Sequence, residues 1–322
     1  MEAALLSENA DLYNEFLDYY RPRVSARGYD TIKYLSRMVI MWFEKKNIPL
    51  SEVSVKDVME YKESLNKPAD GKRLCAASIY NHLKMGRKIF RFLIDIEKIK
   101  TNPFCDVKYP RLPDGISKNF LNETQMNRLL ETLSMFHRAE TAKEKLEKYR
   151  LHVVTVLLYA TGMRIAEAAA LLPEDVDIKR REVVIRNGKG GKSRVSFLTG
   201  YAADVLDYYM QYGRKALLSR GWRKHGERLF GADVATLDSA VNRELSETCK
   251  KLKIPVITCH GFRHSLGTHL LKAGCDVRHI QLILGHDKLN STQRYTRVDR
   301  RDLRNIIDKY HPRQPVKRKI SV

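Results

Sequence analysis

His260-Gly261-Phe262-Arg263, then Leu284-Gly285-His286, then Ser291-Thr292-Gln293-Arg294-Tyr295-Thr296 are the stretches that decide how this chain is read. Together they supply a nucleophile, two histidines and an arginine. Upstream, Thr161-Gly162-Met163-Arg164-Ile165-Ala166-Glu167 adds a second arginine with an acidic residue three positions on, and the turn Gly188-Lys189-Gly190-Gly191-Lys192 adds two lysines. The ordered set is arginine, lysine, His-x-x-Arg, histidine, tyrosine.

The surroundings are strongly basic. Among 322 residues, 59 Lys and Arg face 38 Asp and Glu, a formal charge of +21 that calls for a polyanionic partner, nucleic acid before anionic membrane. A hydrophobic fraction of 43% fits a globular chain, and this length favours two domains. No apolar run reaches the roughly 18 to 20 residues of a membrane span. The start, Met1-Glu2-Ala3-Ala4-Leu5-Leu6-Ser7, lacks the basic opening of a secretory signal, so a cytoplasmic protein is expected. Cys75, Cys105, Cys249, Cys259 and Cys275 form no CxxC pair and are odd in number, as reduced thiols would be.

Residues 10 to 100 read as successive helices. Ile32, Leu35, Val39, Trp42 and Phe43 fall at helical spacing. Val55, Val58, Met59 and Leu65 follow the cap residues Ser51 and Ser54, and Ile79, Leu83, Phe90, Leu93 and Ile94 follow Ser78. Asn102-Pro103 is expected to stop the last of these helices. Pro110, Pro113 and Gly115 mark a linker, which gives an N-terminal helical domain over 1–109, a linker over 110–116 and a second domain over 117–322. In the second domain a helical region begins at Asn122-Glu123-Thr124-Gln125, and an apolar helix over Leu151 to Ala160 delivers Arg164. Glu182 to Arg186 and Arg194 to Leu198 flank the glycine-rich turn as a β-hairpin. Helices return from Tyr201, with Gly274 ending one and Asp276 capping the next. The expected class is mainly α with a small β-sheet, an α+β chain.

Arg164, Lys189, His260, Arg263, His286 and Tyr295 together resemble the site of the tyrosine recombinases, the phage integrase family. The spacings of 25 residues from Arg164 to Lys189, 23 from Arg263 to His286 and 9 from His286 to Tyr295 are similar to those of its Xer-type members. The resemblance implies an N-terminal core-binding bundle of SAM-like type and a catalytic domain, closing as a C-shaped clamp on DNA. It implies that Tyr295 attacks the phosphate, forming a covalent 3′-phosphotyrosyl bond that a free hydroxyl later displaces. Arg164 and Arg263 would bind the nonbridging oxygens, His260 would act as acid and base toward the tyrosine, His286 would hydrogen-bond the phosphate and Lys189 would protonate the leaving 5′-oxygen. Glu167 would support the site from behind. No cofactor and no metal enter this scheme. The implied partners are duplex DNA with paired inverted arms and a homotetramer on two duplexes, one dimer per site, passing through a Holliday junction; a second recombinase or an activator is open. The segment from about 301 to 322 would dock on a neighbour.

Several features have more ordinary readings. Most of the 16 tyrosines pack with their hydroxyls at the surface, and Tyr295 is set apart by position alone. His260 and His264 lie four apart, but a zinc helix of the HExxH type needs Glu where Gly261 stands. His264, His269 and His279 read as structural or solvent-facing. Gly191-Lys192-Ser193 resembles the end of a phosphate-binding loop, yet its first glycine is replaced by Arg186. Lys192 holds phosphate or merely solubilises the turn. Chromosome dimer resolution leads among the roles, with mobile-element integration or excision as the alternative on the same chemistry, favoured by the long charged segment Ser134 to Tyr149. A type IB topoisomerase and a non-catalytic DNA-binding regulator are the remaining readings.

Overall fold

A computed structural model describes residues 7–24, 26–66, 74–111, 120–186, 193–220, 225–285 and 300–313. Lys189, Lys192, His286 and Tyr295, most of the expected linker and the last nine residues lie outside the described residues. The chain divides into two compact units, Met1–Gly115 and Ile116–Val322.

The first unit is a bundle of α1 (Ser7–Tyr20), α2 (Ala26–Lys45), α3 (Val55–Asn66) and α4 (Ala76–Asp95). Its core joins Phe16, Val39, Ile40, Phe43, Tyr61, Phe90 and Phe92, all at most 1% exposed. Phe104 enters from the segment after α4. It can do so because Gly86 has no side chain: a Cβ there would lie 2.1 Å from the ring. Ser54 caps α3 as expected, exchanging hydrogen bonds with Asp57.

Three sequence expectations fail in this unit. Ser51 caps no helix, because it lies in a short 3-10 turn over Leu50–Glu52. Ser78 sits inside α4, whose N-cap is Cys75. Asn102-Pro103 does not stop α4, which ends at Asp95: Glu97 turns left-handed (φ 59°) and Lys98 N–H reaches back to the Leu93 carbonyl. Asn102 instead ties the following loop to the helix, donating to the Arg87 carbonyl and accepting from Phe104 N–H.

The second unit is mostly helical around a three-stranded antiparallel sheet. In chain order it holds α5 (Glu123–Leu133), α6 (Ala142–Thr161), α7 (Ile165–Ala170), β1 (Val176–Asp177), β2 (Glu182–Ile185) and β3 (Arg194–Phe197). Then follow α8 (Gly200–Tyr208), α9 (Arg214–Ser219), α10 (Val234–Leu252), α11 (Cys259–Lys272), α12 (Val277–Leu284) and α13 (Arg300–Tyr310). Asn122 and Gln125 form a capping box at the start of α5, and Asp276 caps α12, both where the sequence pointed.

Helix α6 is the axis. It begins nine residues before the expected Leu151, and every residue from Arg150 to Thr161 is buried. Mostly apolar and buried all round its second half, it is covered by α5, α8, α10 and α11 among others. The hairpin is antiparallel, with Glu182 opposite Phe197 and Ile185 opposite Arg194. Helix α13 packs across this sheet: Ile307 is 1% exposed, and Arg304 donates to Glu182 at 2.7 Å. The five cysteines are unpaired. Among the described residues no helix is long and apolar enough to cross a membrane.

Candidate functional site

Arg164 reaches its place through a forced break in the chain. Helix α6 ends at Thr161, and Gly162 adopts φ +63°, a conformation side chains oppose. A Cβ on Gly162 would also lie 2.4 Å from Leu284 and 3.1 Å from Leu266, so this glycine is required twice over. The chain then extends through Met163, and Arg164 takes the N-cap position of α7 without a side-chain cap bond of its own.

Glu167, in the first turn of α7, is the hub. Its Oε2 accepts from the Arg164 main-chain N–H at 2.8 Å and its Oε1 from Arg164 Nη1 at 3.1 Å. Arg194, at the start of β3, donates to the same two oxygens at 2.8 and 2.7 Å. Burial raises the Glu167 pKa, but the Arg194 hydrogen bonds, the Arg164 N–H and the charges of both arginines outweigh it. The net direction is downward, so the carboxylate is held ionised.

Arg263, one turn into α11, is 4% exposed. Its Nη1 donates to the Gly162 carbonyl at 2.8 Å, tying α11 to the residue that releases Arg164. Its Nη2 is buried without a hydrogen-bond partner among the described residues. Burial first, then the charges of Arg164 and Arg194, push its pKa down to about 10, with Glu167 opposing. Three guanidiniums around one carboxylate leave positive charge uncompensated beside an unsatisfied buried donor. Such a place can receive an anion.

His260 lies on the exposed face at the start of α11, its ring 4.8 Å from that of His264 and nearly perpendicular to it. The N-terminus of α11 is pinned from outside: Asn242 on α10 accepts from Cys259 N–H at 2.9 Å, and Asp238 accepts from Asn242. His269 is structural, as the sequence suggested. It donates from Nε2 to the Leu121 carbonyl at 2.8 Å, which leaves Nδ1 to accept from the Tyr159 hydroxyl at 2.7 Å.

Arg164, Glu167 and Arg263 thus converge, and His260 shares α11 with Arg263. Gly285, the residue before His286, has φ +65°, and a Cβ there would meet the Arg194 side chain at 2.8 Å. Arg194 and Asn242 were not singled out from sequence. Arg194 reads as the first residue of a basic strand, and nothing local marks Asn242 as the partner of a helix end 17 residues on.

The model of the phage integrase family matches residues 119–301, more than half of the chain. A curated relative, the tyrosine recombinase XerC of Bacillus subtilis (strain 168), is 32% identical over 250 residues, 75% of this chain and 77% of its own length. The chain belongs to the phage integrase family. Another member, the tyrosine recombinase XerC of Listeria innocua serovar 6a, aligns at 28% identity with 96% of this chain and 100% of its own. The fold is that of the integrases too: a lambda integrase dimer bound to a core site superposes with a TM-score of 0.64 at 14% identity, covering 90% of this chain and 98% of the lambda chain.

Proposed function

We propose that this integrase-family chain is a site-specific recombinase that cuts and rejoins DNA through a covalent phosphotyrosyl bond. The observation that carries the reading is the arginine cluster: Arg263, far from Arg164 in sequence, is tied through the Gly162 carbonyl to the turn that releases Arg164, and Arg164 is held by Glu167, with a buried guanidinium donor of Arg263 left for an oxyanion. Tyr295 attacks the scissile phosphorus as its hydroxyl proton passes to His260. The two arginines and His286 stabilise the extra charge on the nonbridging oxygens of the pentacoordinate state. The 5′-oxygen departs with a proton from Lys189. The 3′-phosphotyrosyl bond that forms conserves the energy of the one that breaks, so a 5′-hydroxyl from another duplex reverses the step and joins new strands.

The first unit is then the core-binding domain and the second the catalytic domain. The working assembly is a homotetramer on two duplexes in the cytoplasm, resolving chromosome dimers through a Holliday junction. The segment from about 301 to 322 is the one exchanged between subunits; its helical part, α13, lies in the single chain on its own sheet, held by Arg181–Asp308 and Arg304–Glu182. Strand exchange between two differently labelled duplexes, each carrying a site from the chromosome terminus, tests the reading. Recombinant duplexes support it. Relaxation of supercoiled DNA without exchange would favour a topoisomerase.

A further inference from the structure

The Glu167 carboxylate is shared unequally between two arginines, and the inequality has a consequence for the one proposed to bind phosphate. A carboxylate accepts about four hydrogen bonds. Glu167 is 7% exposed, and its four are filled: two by the Arg194 fork, one by the Arg164 main chain, one by Arg164 Nη1. The fork bonds are 2.8 and 2.7 Å, whereas the Arg164 side chain contributes a single bond of 3.1 Å. Arg194 therefore takes most of the negative charge. Arg164 is steered by one N–H and keeps its other donors, with its side chain one-third exposed (33%) against 18% for Arg194.

We infer that Arg194 is a positioning residue for strand cleavage: by saturating Glu167 it orients Arg164 without letting the carboxylate neutralise it. The inference rests on the recombinase reading above. Removing Arg194 leaves Glu167 with Arg164 as its near cation. A bidentate Glu167–Arg164 pair then forms, withdrawing from the phosphate the fork that should face it. A second contact supports the placement. Arg194 packs against Gly285, so the first residue of β3 is braced against the residue that precedes His286.

The test is a double-mutant cycle on the full chain, with Arg194→Ala, Glu167→Gln and the pair, using nicked duplexes that carry chromosome-terminus sites. Single-turnover formation of SDS-resistant adduct, DNA affinity and the thermal midpoint are measured for each. For Arg194→Ala the expected loss of cleavage rate is roughly 10- to 100-fold, by analogy with the outer-shell partners that orient metal ligands, with DNA affinity changed by less than about threefold. In the Glu167→Gln background the same substitution should cost less than about threefold, because no charge remains to collapse onto Arg164. Arg194→Lys should recover part of the rate. Equal losses in both backgrounds, tracking a fall in thermal midpoint and not recovered by lysine, would show a merely structural arginine and overturn the inference. So would a wild-type rate in Arg194→Ala. Absence of adduct from the wild type itself removes the recombinase reading and this inference with it.

Discussion

Arg181, in the turn before β2, holds Asp308 of α13 by two parallel hydrogen bonds of 2.9 and 2.6 Å. With Arg304–Glu182 on the next turn and Ile307 buried between them, a largely polar clasp surrounds one apolar anchor. The two kinds of contact should respond differently to substitution. The Arg181–Asp308 pair is about one-third exposed on each side, so Asp308→Asn is expected to cost under about 1 kcal/mol and to act mainly at low salt. Ile307→Ala should cost about 2 to 4 kcal/mol of α13 docking. Hydrogen exchange of α13 amides, followed against salt, separates the two.

Gly162→Ala should damage both stability and cleavage. The left-handed backbone alone costs about 1 to 2 kcal/mol for a residue with a side chain, and the added methyl would overlap Leu284. Any relief must move α12 or tilt Arg164. A urea midpoint lowered by the equivalent of about 2 kcal/mol or more, together with slower adduct formation, is expected. Met163→Leu, at a buried position beside it, should leave both close to wild type.

Acid should unfold the second unit through its buried histidines. Burial, with the charge of Arg313, pushes His152 down to about 3, and burial pushes His311 down to about 4 against its bond to the Tyr159 carbonyl. His269 is lowered as well, chiefly by burial. The unfolded histidines titrate near 6.5. Between about 6.5 and 4 the unfolded chain binds protons that the folded chain refuses, so stability is full above pH 7 and falls as pH drops. Each histidine contributes up to roughly 1.4 kcal/mol per pH unit. Urea midpoints from pH 7.5 to 5 should show this slope, and His152→Phe should reduce it.

Lys189 and Lys192 both fall between β2 and β3 in the sequence and should separate by chemistry. A lysine that protonates the leaving oxygen is dispensable when a 5′-sulfur replaces that oxygen, since a thiolate leaves unprotonated. Lys189→Ala should therefore lose about 100-fold or more in cleavage of ordinary DNA, the scale of general-acid catalysis, and recover on the 5′-thio substrate. Lys192→Ala should change only affinity, with a shallower salt dependence. The opposite pattern would exchange their roles.

Much of this fold is legible in the sequence wherever the signal is local. Asn122 with Gln125, Ser54 with Asp57 and Asp276 announce helix starts because the cap and its partner lie within three residues. The hairpin shows through its β-prone flanks. What sequence hides is non-local. Asn102 resembles a helix stop, but its side chain is used to staple a loop onto Arg87, while α4 ends earlier on a left-handed Glu97 that no sequence rule favours. Arg194 looks like one more basic residue on a basic strand until folding brings Glu167 within 2.8 Å. Gly162 lies inside the quoted motif, yet its double role depends on Leu284 and Arg263, over a hundred residues away.

The most direct test of the central claim is covalent trapping. Wild type and Tyr295→Phe are incubated in EDTA with nicked duplexes carrying sites from the flanks of the gene and from the chromosome terminus, and protein–DNA adducts resistant to SDS are counted. An adduct from wild type that disappears in Tyr295→Phe is the expected result. An adduct that persists in Tyr295→Phe would mean that another residue attacks the phosphate, and the chemistry assigned to Tyr295 would be wrong.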